Sequence, residues 1–153
     1  MIPDLIDVGG PWNVLPPGIH DVSLDEVKTR FATNSNRNLL FEGFARGFTA
    51  LQKAGSKEIL LDGSFVTDKQ NPGDFDCCWN AVGVDASKLD PVFLDFTDKR
   101  AVQKKKYRGE FFPFGLGVGA GDFFLNHFQK DKDTDKTKGI LRVLLLSCIA
   151  FRL

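Results

Sequence analysis

The sequence predicts an α/β domain of the α+β kind, with a small mixed β-sheet and helices packed on one face. Two helical segments with apolar stripes come first, near 24–32 and 37–53. Short apolar runs of strand length follow, near 58–62, 75–82 and 92–96. A 3.6-residue period and short apolar runs between turn signals are distinct patterns, so both element types should share one core. The chain has 153 residues. A domain of that size buries roughly 68–70% of its unfolded surface, enough for a real core.

Residues 1–22 carry Gly9, Gly10, Pro11, Pro16, Pro17 and Gly18, and read as an irregular arm; residues 23–153 read as one domain. Ser23 with Glu26 three residues on is a capping box for a helix from Leu24 to Ala32. Asn34 to Asn36 offer the next cap. In the helix from Arg37 to Lys53, Leu40, Phe44, Phe48 and Leu51 recur at spacings of 4, 4 and 3, one apolar face. Gly55 suits the helix end.

Glu58 to Asp62 reads as a buried strand running into Gly63-Ser64. A polar loop, Thr67 to Gly73, leads to a second strand, Phe75 to Val82. Asp85 to Asp90 reads as a turn or short helix, and Val92 to Phe96 as a third strand. Asp98 to Tyr107 reads as a basic helix. Lys104, Lys105, Lys106 and Arg108 cluster at its end, where cations suit the helix dipole. Gly115, Gly117, Gly119 and Gly121 mark a flexible connector or lid, and Phe123 to Phe128 a short helix. Gln129 to Lys138 is a charged turn, and Ile140 to Leu146 a last strand.

Composition narrows the class. Hydrophobic residues are 42% and charged residues 26%, which excludes global disorder. Net charge is zero, against a bulk polyanion binder, but it is a sum of unequal parts. Residues 61–98 carry 8 acidic and 2 basic residues, whereas 99–153 carry 12 basic and 5 acidic. Three cysteines, two of them adjacent, make no disulfide framework, so a reducing cytoplasm is expected. No Cys/His spacing suggests zinc. The N-terminus has no signal-peptide pattern. The apolar stretch 140–153 contains two arginines and is shorter than a membrane span, so no membrane role is expected.

The chemistry concentrates in Leu60-Leu61-Asp62-Gly63-Ser64, then Asp74-Phe75-Asp76. Residues two apart on a strand share a face, so Asp74 and Asp76 aim at one point. Two converging carboxylates repel unless a cation sits between them, and Mg²⁺ or Mn²⁺ prefers such oxygen donors. Gly63, lacking a Cβ, lets backbone N–H groups and the Ser64 hydroxyl approach a phosphate. Lys69 in the spacer could add a phosphate contact. A metal beside a phosphate cradle is the equipment of phosphoryl or nucleotidyl transfer.

These residues resemble the polymerase-beta-like nucleotidyltransferase superfamily in its minimal form: hydrophobic strand, Gly-Ser, spacer, Asp-x-Asp on the next strand. Leu15 to His20, Leu61 to Thr67 and Pro72 to Asp76 also resemble a small bacterial family assigned to that superfamily. The resemblance implies transfer of an NMP from an NTP to a hydroxyl acceptor, which could be a protein, an RNA or a small molecule. It implies a metal site of Asp74, Asp76 and a third carboxylate on a later strand. Asp95 is the best match, and Glu110, between Gly109 and an aromatic run, is second. Gly63 and Ser64 would hold the β/γ-phosphates. The apolar run after Ile140 departs from that family, and no function is placed there.

The alternative is a non-catalytic protein of the same fold, binding a partner protein in a toxin–antitoxin or phage-defence pair. A third possibility is a nucleic-acid-binding module using the basic segment 99–108. Trp79 could stack on a base or simply pack. His20, His127, Cys77 and Cys78 are read as structural.

Overall fold

The computed structural model describes residues 1–115 and 127–145. Its strands are β1 (Gly18–Val22), β2 (Ile59–Asp62), β3 (Asp76–Asn80), β4 (Glu110–Phe114) and β5 (Gly139–Val143), and its helices α1 (Leu24–Phe31), α2 (Ser35–Lys53) and α3 (Thr97–Tyr107). The sheet order is β1-β5-β2-β3-β4. β1 runs parallel to β5 and β3 parallel to β4, while β2 is antiparallel to both β3 and β5. This is the mixed sheet with helices that the patterning predicts.

Strand alternation divides the core in two. Ile59, Leu61, Cys77, Trp79, Phe111, Leu141 and Val143 join Phe44, Phe48 and Leu51 of α2 in the main core. Leu60, Cys78, Phe112, Phe114 and Ile140 point the other way and, among the described residues, cluster with Phe128. The first face carries the described helices.

The helix signals match the structure closely. The Ser23 side chain accepts from Glu26 N, and the Asn34 side chain accepts from Arg37 N. Arg37 is buried, and its guanidinium donates to the carbonyls of Phe31, Phe65, Thr67 and Lys69. It thereby pins the spacer loop to the start of α2. Two glycines let helices approach other elements. A Cβ on Gly43 would lie 2.0 Å from the Tyr107 carbonyl oxygen, and one on Gly47 would lie 2.7 Å from the Phe111 ring.

Three expectations need correction, and a stretch that the patterning leaves unassigned is a strand. Residues 92–96 are not a strand: Pro91–Leu94 form a 3₁₀ turn. Pro91 cannot donate to a ladder, and the Asp90 carboxylate instead caps Val92 N at 3.0 Å. The arm is less irregular than its Gly/Pro content suggests, because it contains β1 and an Ile6–Val14 bridge. β1 is a largely exposed edge strand, so it shows no apolar run. The aromatic run after Gly109 is strand β4, whose Pro113 is tolerated at the sheet edge. The basic helix begins with three left-handed residues, Asp98, Lys99 and Arg100, and is regular only after them. The glycine connector and most of the short helix expected at 123–128 lie outside the described residues.

Candidate active site

β2 and β3 pair with Asp62 opposite Asp76, and β3 and β4 pair with Asp76 opposite Glu110. Three carboxylates thus line up across three adjacent strands, at one end of the sheet. By alternation with Leu60, Cys78 and Phe112 they face away from α2 and the main core. Asp74, two residues before Asp76, adds a fourth acid within electrostatic reach of both Asp76 and Glu110.

Gly63 turns the chain at the end of β2 with φ +89°, where side chains are disfavoured. A Cβ there would sit 3.0 Å from Asp76 N and 3.1 Å from its Oδ2. The residue must be glycine for β3 to bring Asp76 this close. Ser64–Val66 form a 3₁₀ turn, and the Thr67 hydroxyl donates to Ser64 O at 2.6 Å. Gly63, Ser64, Thr67, Asp74 and Asp76 all line one cleft. Lys130 to Asp133, Lys138 and His127 line the same cleft.

The acids are crowded. Burial and the charges of Asp62, Asp74 and Glu110 push the Asp76 carboxyl up to about 7. Asp74 is raised chiefly by burial and then by Glu110, with Lys104, Lys132 and Lys69 opposing. Asp62 is raised by burial despite a buried ion pair with Lys138. Glu110 is tied to Arg100 at 3.0 Å and to Lys104 at 2.9 Å.

Of the residues singled out in the sequence, Gly63, Ser64, Asp74 and Asp76 are brought together. Lys69 does not line the cleft, but its ammonium lies 4.7 Å from the centre of the ring of Trp12, which does. Asp95 is not brought in. It is half-buried just after the 3₁₀ turn, and its carboxylate accepts from Thr97 N at 3.1 Å and Thr97 Oγ1 at 2.6 Å. Glu110, the second match, lies on the strand beside Asp76. Lys104 reaches the cluster, whereas Lys106 pairs with Asp90. Trp79 is enclosed in the core and offers no face to a base.

Sequence reasoning misses Asp62, Lys138 and the cleft wall of Lys130 and Lys132. The signal for Asp62 is its place immediately before Gly63. Lys138 enters because β5 lies beside β2, a pairing across more than seventy residues of chain.

Divalent cations fit this donor set in one particular way. Among the described residues, no group of three or more His, Cys, Asp or Glu side chains is arranged to hold a metal ion. Mg²⁺, however, is commonly held by one or two carboxylates, with phosphate oxygens and water completing the shell. Asp74 and Asp76 would supply the two carboxylates, and the Asp76 carboxyl is raised first by its burial and then by the neighbouring acids.

The comparison with protein families is decided by residues 10–144, which match the model of a family of unknown function, DUF6932. The chain belongs to that family. No curated protein and no solved structure matches it. The match to DUF6932 spans the residues that line the cleft. Among the described residues, no helix is long and apolar enough to cross a membrane.

Proposed function

We propose that this DUF6932 protein is a metal-dependent nucleotidyltransferase that moves an NMP from an NTP to a hydroxyl acceptor. The observation that carries the reading is that Asp74 and Asp76 share one cleft with the Gly63-Ser64 turn, with Glu110 opposite Asp76 on the next strand. The polymerase-beta-like superfamily has the same order of parts.

In this reading Asp74 and Asp76 hold Mg²⁺ or Mn²⁺. Bound there, the ion would neutralise charge developing on the α-phosphate. The Gly63-Ser64 turn, with Lys69, Lys130 and Lys132, binds the triphosphate. Glu110 takes the proton of the attacking hydroxyl once it is released from Arg100 and Lys104. The acceptor oxygen bonds to the α-phosphorus, the α–β bridge breaks, and pyrophosphate leaves. The acceptor is a protein side chain, an RNA end or a small molecule. The reducing cytoplasm expected from the cysteines would supply NTP and Mg²⁺.

One observation favours a second reading, a non-catalytic partner protein of the same fold. Glu110 is already ion-paired twice, which withholds a third ligand. Incubation with labelled NTPs, Mg²⁺ or Mn²⁺ and cell lysate separates the two. Label transfer by wild type that Asp76→Asn abolishes is the expected result. No transfer, or equal transfer by the variant, sinks the catalytic reading.

A further inference from the structure

The cleft has a cavity volume of about 140 Å³. That is close to an engineered cavity that accepts one benzene. It has room for phosphates and an ion, and a whole nucleotide must extend over its rim. Trp12 stands on that rim. It is half-buried and lines the same cleft as Ser64, Asp74 and Asp76.

Its place is fixed by backbone bonds on both sides. Ile6 and Val14 exchange hydrogen bonds of 2.7 and 3.0 Å, closing the arm around it. Asn13 N donates to the Asp68 carboxylate at 2.8 Å, which ties the arm to the spacer loop. Lys69, on that loop, holds its ammonium over the Trp12 ring and acts electrostatically on Asp74. The Lys69 ammonium therefore covers one face of the indole, so a base would stack on the opposite face. Among the described residues, the other rings that line the cleft are His127 and Phe128, which pack on each other at 5.4 Å, and Phe128 also packs on Phe112 at 5.2 Å, while Trp79 lies in the core.

We propose that Trp12 is the nucleobase platform of this site, with Lys69 beside it taking a phosphate of the same nucleoside triphosphate. The inference rests on reading the cleft as a nucleotide site. It adds the residue that separates a nucleotide from a bare polyphosphate. A flat indole takes any base by stacking, worth about 1–3 kcal/mol per base in alanine substitutions, or roughly five- to hundredfold in affinity.

The test uses ATP and inorganic tripolyphosphate, each with Mg²⁺, on the full chain. ATP should quench tryptophan emission in wild type, and Trp12→Phe should remove the quench, because the remaining indole, Trp79, is enclosed. By calorimetry, Trp12→Ala should weaken ATP by roughly five- to hundredfold and leave tripolyphosphate binding unchanged. Retained tripolyphosphate binding also shows that the variant is folded. If ATP quenches Trp12→Phe as it quenches wild type, the platform is elsewhere and the inference is overturned. If ATP binds wild type and Trp12→Ala equally, Trp12 is refuted while the phosphate site stands. If neither ligand binds wild type, the nucleotide reading falls and the platform with it.

Discussion

Asp76→Asn should stabilise the metal-free protein, and by an amount that depends on pH. In the fold the Asp76 carboxyl is pushed from 3.8 up to about 7 by burial and three neighbouring acids. A folded pKa above the unfolded one means that the contribution to stability is complete below about pH 4. It is lost progressively as pH rises through 7. A tenfold change in proton affinity is worth about 1.4 kcal/mol, so ionised Asp76 costs about 4 kcal/mol above pH 7 and under 2 kcal/mol near pH 5. The amide mimics the protonated acid and escapes that cost. The gain from Asp76→Asn is therefore near zero at about pH 4 and about 4 kcal/mol at about pH 8. For a chain of this length that is roughly 10 °C in Tm. Urea unfolding in EDTA, at about pH 4 and about pH 8, measures it. A gain that is equal at both pH values, or a loss at high pH, would refute the account of a crowded carboxylate. Mg²⁺ supplies the complementary test. It should stabilise wild type at high pH by occupying the folded state, and leave Asp76→Asn unmoved.

Three further perturbations follow. Lys138→Met should cost about 3–5 kcal/mol in urea unfolding, because it leaves the buried Asp62 carboxylate without its cation; Lys138→Met with Asp62→Asn should recover most of the loss. Gly43→Ala should destabilise by about 1–3 kcal/mol despite the helix preference of alanine, since its Cβ would lie 2.0 Å from the Tyr107 oxygen; an unchanged Tm would show that α2 and α3 are not packed so closely. In the label-transfer assay Glu110→Gln should lose at least a hundredfold, about 3 kcal/mol in the transition state, and Asp95→Asn should lose nothing; the reverse order would restore Asp95 as the third carboxylate.

The helices are legible because their signals are local. Ser23, Asn34 and the Leu40–Leu51 stripe each act within a few residues, and each does in the structure what its position predicts. The strands β2 and β3 are legible because both are buried on two faces and read as apolar runs. The edge strands are not. β1 is half exposed and β4 carries a proline, and both features erase the pattern that marks a central strand. The run 92–96 has the composition of a strand, but Pro91 at its start and Asp90 as a cap turn it into 3₁₀ backbone.

The same contrast explains the site. Asp74, Asp76 and the Gly63-Ser64 turn lie within one hairpin, and their association needs antiparallel pairing across the loop 63–75, which Arg37 pins. The third carboxylate depends on which strand lies beside β3, and that is a long-range choice. Position after an apolar run favours Asp95 in the sequence. Glu110 lies beside Asp76 because β4 runs parallel to β3, with Glu110 opposite Asp76. A parallel partner needs a crossover, here the 3₁₀ turn and α3 together. Their basic face then arrives beside Glu110 as Arg100 and Lys104. The acidic middle and basic end of the chain therefore meet because one crossover delivers both. The segment that brings Glu110 to the acids also brings the cations that hold it, so releasing Glu110 requires a ligand anionic enough to compete for Arg100 and Lys104. A triphosphate has that charge, and a neutral nucleoside does not.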